Sequence, residues 1–169
     1  MPCPYGFSKN YFCDTIFSMK IKLVTTKDIN KIPPILREKS KRVEKITSEI
    51  LELANQMAKI MKENKGIGIS AIQVGVPIRL IVINNCDQDF FFINPEIKRV
   101  SRREIVYSEG CLSFPDIFEE ISRPEKVTVR ARNLDWEDIE IEAEGLMARC
   151  LEHEIDHLEG VLFIDYIEK

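Results

Sequence analysis

Apolar residues recur at steps of three and four through residues 42–64, at Val43, Ile46, Ile50, Leu53, Met57, Ile60 and Met61. They predict one long amphipathic helix near the N-terminus, with Glu44, Lys45, Glu49, Glu52 and Lys59 on its outer face. Gly66 is expected to stop it. The period then changes. Short apolar runs at 78–83, 90–93 and 105–107, punctuated by Asn84, Asn85, Asp87 and the Asn94-Pro95 pair, read as strands. Segments 127–131 and 139–143 alternate apolar and polar residues, and 134–138 between them predicts a hairpin. A helical period returns over 146–158, bounded by Gly145 and Gly160, and 161–167 is a last apolar stretch. One helix, a set of short antiparallel strands and a second helix predict an α+β fold. Short sheets are expected to pack around the second helix, within one catalytic domain spanning 19–169.

Composition narrows the function more than the fold. At 44% hydrophobic and 31% charged, the 169 residues suit one ordinary globular domain. A net charge of −4 offers no basic footprint, so nucleic acid is not expected as a direct partner. No apolar run is long enough to span a membrane. Cys3, Cys13, Cys86, Cys111 and Cys150 are scattered without paired spacing, which fits a reducing compartment such as the cytoplasm. An organellar address is the alternative, although no clear transit peptide is evident. Residues 1–18 mix Pro2, Pro4, Gly6, Asn10 and aromatics without any period, and are expected to be an irregular extension or to precede a natural start at Met19.

The candidate chemistry lies on the second predicted helix. The two histidines of the chain occur in His153-Glu154-Ile155-Asp156-His157. A four-residue spacing puts both imidazoles on one helix face, one turn apart, where they can converge on one ion. Glu154 then flanks the ion and reaches a water held there, as a general acid/base must. On a solvated surface the same pattern would be inert. Leu151, Ile155, Leu158 and Val161 instead predict a largely buried helix, where unpaired ionisable groups are costly. No third histidine exists, and the short tail after His157 cannot comfortably return a glutamate to the site. A cysteine thiolate is the natural third ligand. Cys111 follows a predicted strand and Gly110, a rigid support that allows close approach. Its rival, Cys150, lies one turn before His153, and three ligands along one helix cannot surround an ion.

Three segments resemble, in order and spacing, the signature motifs of peptide deformylases. They are Gly66-Ile67-Gly68-Ile69-Ser70-Ala71-Ile72-Gln73, then Glu109-Gly110-Cys111-Leu112-Ser113, then His153-Glu154-Ile155-Asp156-His157-Leu158-Glu159-Gly160. The resemblance implies a bacterial-type enzyme that removes the formyl group from the N-terminal formyl-methionine of nascent polypeptides, releasing formate. It implies one divalent ion per chain on Cys111, His153 and His157: physiologically Fe2+, with Zn2+, Ni2+ or Co2+ as alternatives. It also implies that Glu154 handles the proton, and that the Gln73 amide and the Leu112 backbone N–H stabilise charge on the formyl oxygen. Ile67, Gly68 and Gly110 would contact the peptide, while Leu146 and Cys150 would line a pocket for the methionine side chain.

Three features depart from the family pattern. Glu152 stands where the family usually has Gln, Ser70 and Ile72 replace residues more often small and apolar or Thr or Ala, and no C-terminal helix of the kind linked to ribosome association follows. Two other readings stay open. One is a small metallopeptidase using the same helix; the other is a non-catalytic, metal-stabilised binding module, which would need a fourth protein ligand.

Overall fold

Strand β2 (Leu80–Asn85) shows why the molecule has two layers of helix around one sheet. Its Leu80, Ile81, Val82 and Ile83 are all buried. Successive strand side chains point to opposite faces, so an unbroken apolar run requires cover on both. Helix α1 (Ser48–Glu63) covers one face, packing Leu53, Ala54, Met57 and Met61 with Leu80, Val82 and Ile93. Helix α2 (Gly145–Leu158) covers the other, packing Ala148, Leu151 and Ile155 with Ile81, Ile83, Phe92 and Val129. The computed structural model describes residues 21–167; the predicted extension over 1–18 lies outside the described residues.

The sheet is antiparallel throughout. With β1 (Gly68–Ser70), β3 (Gln88–Val100), β6 (Lys126–Arg132) and β7 (Asp138–Glu144), β2 forms five strands in the order β1-β2-β3-β6-β7. A separate ribbon pairs β4 (Glu104–Cys111) with β5 (Phe114–Pro124). Phe114 and Ile121 tie the ribbon to Leu36, Leu162 and Phe163 in a third buried cluster. The α+β expectation therefore holds, and the 6–7 hairpin forms in register from Lys126↔Glu144 to Arg132↔Asp138. No described helix is long and apolar enough to cross a membrane.

Several boundaries differ from the sequence reading, each for a local reason. Helix α1 starts at Ser48 rather than at 42. The backbone of Val43 is held outside the helix by the side chain of Asn94, which accepts from its N–H and donates to its carbonyl, both at 2.8 Å. Nor does Gly66 supply the left-handed stop: Lys65 does, at φ 57°, while the Gly66 N–H reaches back to the Met61 carbonyl at 2.9 Å. Glycine at position 66 instead makes room for Leu112, since a Cβ there would lie 2.7 Å from Leu112 Cδ1 and the side chain would have to shift. The Asn94-Pro95 pair does not end β3. Asn94 turns to φ 51° and the register with β6 shifts between Ile93 and Glu96, a bulge that accommodates a proline with no N–H to donate. Strand β5 was not anticipated, since Asp116, Glu119 and Glu120 interrupt its apolar positions. The last apolar stretch becomes a 3-10 turn, Phe163–Tyr166.

Gly160 closes α2. It takes φ 74°, and the Val161 N–H donates across it to the Asp156 carbonyl at 3.0 Å. A Cβ at this position would run into the Arg37 carbonyl. Gly160→Ala is expected to lower stability by more than the left-handed strain alone, about 1–2 kcal/mol. A urea titration should show an earlier midpoint at unchanged slope.

Candidate active site

Positions i, i+3, i+4 and i+7 share one face of a helix, and on α2 these are Cys150, His153, Glu154 and His157. All four are buried, and β1 is the strand most closely packed on this helix. The end of β4 meets the same place. A register shift between Gly110 and Cys111 breaks the β4–β5 ladder there, and such bulges re-aim a side chain. The ligand atoms of Cys111, His153 and His157 all lie within 4.8 Å of one another, with Cys111 Sγ 3.2 Å from His157 Nε2. Cys150, the rival thiol, is not among them. Burial pushes its thiol well above the usual range, which leaves it a neutral wall of the site.

The three donors suit a divalent cation. Tetrahedral coordination at about 2.3 Å for sulfur and about 2.0–2.1 Å for nitrogen puts a sulfur and a nitrogen donor roughly 3.5–3.6 Å apart, so the 3.2 Å between Cys111 Sγ and His157 Nε2 would open by a few tenths of an ångström to receive an ion. One thiolate with two imidazoles accommodates several borderline ions. His153 is also held in the orientation such a site needs. Its Nδ1 lies 2.7 Å from Glu109 Oε1, a pairing that keeps a proton on Nδ1 and leaves Nε2 as the nitrogen that faces the cluster.

Glu109 lies beside Gly110-Cys111 in the sequence, and its role emerges only in the fold. It is 5% exposed and gathers buried cations from two elements. Arg123 donates to both its oxygens at 2.8 Å, and Arg149 donates to Oε2 at 2.8 Å. Burial by itself would raise the Glu109 carboxyl, but hydrogen bonds from Arg123 and His153 hold it well below the usual carboxylate range. Arg123 continues to Asp156 Oδ2 at 2.8 Å, and Arg149 also binds the carbonyls of Ile121 and Ile105. Nothing in the local sequence marks Arg123 and Arg149 as interior. The available hint was the adjacency of Glu109 to Gly110-Cys111.

Gln73 is 1% exposed, in a 3-10 turn after β1, and its amide is fixed at both ends. Its Oε1 accepts from the Ser70 N–H at 2.8 Å and from the Ser70 hydroxyl at 3.0 Å. That leaves Nε2 to donate toward Cys111 Sγ and Ser113 Oγ, each at 3.3 Å. Ser70, a departure from the family pattern, thus serves the Gln73 geometry. Glu154 is buried, and its Oε2 has no protein hydrogen-bond partner. Burial pushes its carboxyl up to about 7, against the opposing charge of His153 and the Ser70 hydroxyl.

A cleft of about 430 Å³ opens onto this cluster, lined by Ile67, Gly68, Gly110, Leu112, Leu146 and Cys150 beside Cys111, His153 and Glu154. The residues predicted from separate motifs therefore converge. Gly68 belongs to β1, the outermost strand of the sheet, and a Cβ there would fall 2.5 Å from Cys150 Sγ and 2.6 Å from Glu154 Oε1. Gly110 likewise leaves room for the Phe118 ring. Leu146 is 61% exposed and forms the rim rather than the floor. Glu152 is buried but not part of the ligand cluster; burial pushes its carboxyl up to about 7, with Arg123 and Arg149 opposing.

The chain is similar to known proteins over most of its length. The polypeptide deformylase family profile matches residues 26–169. A peptide deformylase of Bartonella tribocorum is 49% identical over 143 residues, 80% of each chain. One from Rhizobium meliloti is 47% identical over 152 residues, 86% of this chain and 87% of its own. A peptide deformylase from Synechococcus elongatus, solved in complex with actinonin, superposes at a TM-score of 0.83 with 34% identity, covering 97% of this chain and 87% of that one.

Proposed function

The chain belongs to the polypeptide deformylase family, hydrolases that remove the formyl group from formyl-methionyl nascent peptides, and we propose that Cys111, His153 and His157 hold one divalent ion at which Glu154 handles the proton. The observation that carries this assignment is the gathering of one thiol and two imidazole nitrogens within 4.8 Å beside a buried carboxylate. A bound ion would supply Lewis acidity to a water and to the formyl oxygen.

The chain's own groups account for the remainder. Glu154 takes the proton of the attacking water and passes it to the departing amine nitrogen, which its burial and raised pKa favour at neutral pH. The Gln73 amide, locked by Ser70, and the Leu112 backbone N–H donate to the oxygen where negative charge develops. The substrate lies along the open edge of β1 at Ile67 and Gly68, past Gly110, with its methionine side chain between Leu146 and Cys150. Fe2+ is the ion proposed for the cell, with Zn2+, Ni2+ or Co2+ able to replace it. We place the enzyme in the cytoplasm, acting on chains as they leave the ribosome.

One variant tests the ligand set. Cys111→Ala, left with two of the three protein ligands, should lose most or all of its ion, read by elemental analysis after dialysis against a chelator. Full occupancy in that variant would move the third ligand elsewhere. The metallopeptidase reading is tested with a formyl-Met peptide panel, where formate should appear without cleavage of internal bonds.

A further inference from the structure

We infer that Tyr166, on the 3-10 turn Phe163–Tyr166, is a positioning residue that sets the orientation of His153 through a buried relay. The relay runs from the surface inward. The Tyr166 hydroxyl donates to Asp156 Oδ2 at 2.9 Å. Arg123 donates to the same oxygen at 2.8 Å and lies 4.8 Å above the Tyr166 ring centroid. Arg123 then grips Glu109 through two bonds of 2.8 Å, and Glu109 Oε1 meets His153 Nδ1 at 2.7 Å. Asp156 and Tyr166 are where this chain of charges approaches solvent, the Asp156 side chain being 20% exposed and Tyr166 44%.

The turn that carries Tyr166 is built to hold this place. Arg37 binds both oxygens of Asp165, at 2.5 and 2.9 Å, and Asp165 Oδ2 accepts from the Leu162 N–H at 2.9 Å. Phe163 is 1% exposed, 5.7 Å from Phe114 and 6.0 Å from the His153 ring itself. One short turn therefore contacts His153 both directly and through its carboxylate partner. Burial and the charge of Asp156 push the Tyr166 hydroxyl up to about 12, so it stays a donor across the working pH range. Losing the ring would admit water to Arg123, and a hydrated guanidinium holds Glu109 less firmly.

The inference rests on His153 being a metal ligand, and its test separates the two. Wild type, Tyr166→Phe and Tyr166→Ala are prepared with Co2+, and three properties are read: kcat and KM on a formyl-Met peptide, the rate of Co2+ loss to a chelator, and the visible absorption of the bound ion. Tyr166→Phe should lower kcat about 3–10-fold at unchanged KM, speed ion loss several-fold and shift the absorption band. Its effects should be smaller than those of second-partner changes, which reach about 10–100-fold. Tyr166→Ala should exceed it in every reading; if that variant does not fold, Tyr166→Phe decides alone. Unchanged ion loss and absorption in Tyr166→Phe, or a change confined to KM, would overturn the positioning role. A wild type that binds no Co2+ would instead overturn the ligand assignment.

Discussion

Glu154→Gln should lose about 10²–10⁴-fold in kcat while keeping one metal ion per chain and a normal fold. The substitution preserves shape and removes only the ability to carry a proton. Glu154 is buried, and one of its oxygens has no protein partner, so little of the native hydrogen bonding depends on its charge. Burial already raises its carboxyl to about 7, which means that neutralising it by mutation costs the fold little. Cys111, His153 and His157 are untouched, so metal content should match wild type. Initial rates of formate release, paired with elemental analysis, give both numbers. A variant with wild-type kcat would remove Glu154 from the proton path.

Glu109→Gln should be the most destabilising single change at the site. Glu109 is the common acceptor for Arg123, Arg149 and His153, all buried. Removing its charge leaves Arg123 with Asp156 as its one carboxylate and Arg149 with the Ile121 and Ile105 carbonyls, and breaking a buried pair from one side costs up to about 3–5 kcal/mol. A domain has roughly 5–15 kcal/mol in total, so a large share of stability is at stake. The new amide also presents an N–H toward donors that already point inward. His153 loses its fixed orientation at the same time, and the ion should bind about 10–100-fold more weakly. Urea unfolding and chelator competition measure the two effects separately. A variant unfolding at the wild-type midpoint would show that the Arg–Glu cluster contributes specificity of geometry and no net stability.

Much of the site was legible in the sequence, and the limits of that reading are physical. His153 and His157 fall one turn apart on α2, as their spacing predicts, because α2 is a regular helix, and the hairpin of β6 and β7 forms because each strand keeps a clean alternation. Excluding other ligands pointed to Cys111 because the chain has so few candidates. The start of α1 was misjudged because Val43 and Ile46 keep the helical phase while the backbone there answers to Asn94, 51 residues away. Strand β5 was hidden because a ribbon with an open face can place acids where a core strand would place apolar residues. The Glu109 cluster was invisible for a related reason. Arg123 and Arg149 lie 14 and 40 residues from their partner, and a buried arginine is spelled like a surface one. Only the fold reveals that their charges are spent on orienting His153.

The central claim is that Cys111, His153 and His157 hold the ion that drives deformylation. It is tested most directly by purifying the full chain without oxygen and following metal content and formate release together as a chelator removes the ion and Fe2+, then Zn2+, is returned. One ion per chain is expected, with activity that falls in proportion to the ion lost and recovery on reloading that Cys111→Ala does not share. Formate release that persists in metal-free protein, or recovers equally in Cys111→Ala, would contradict it.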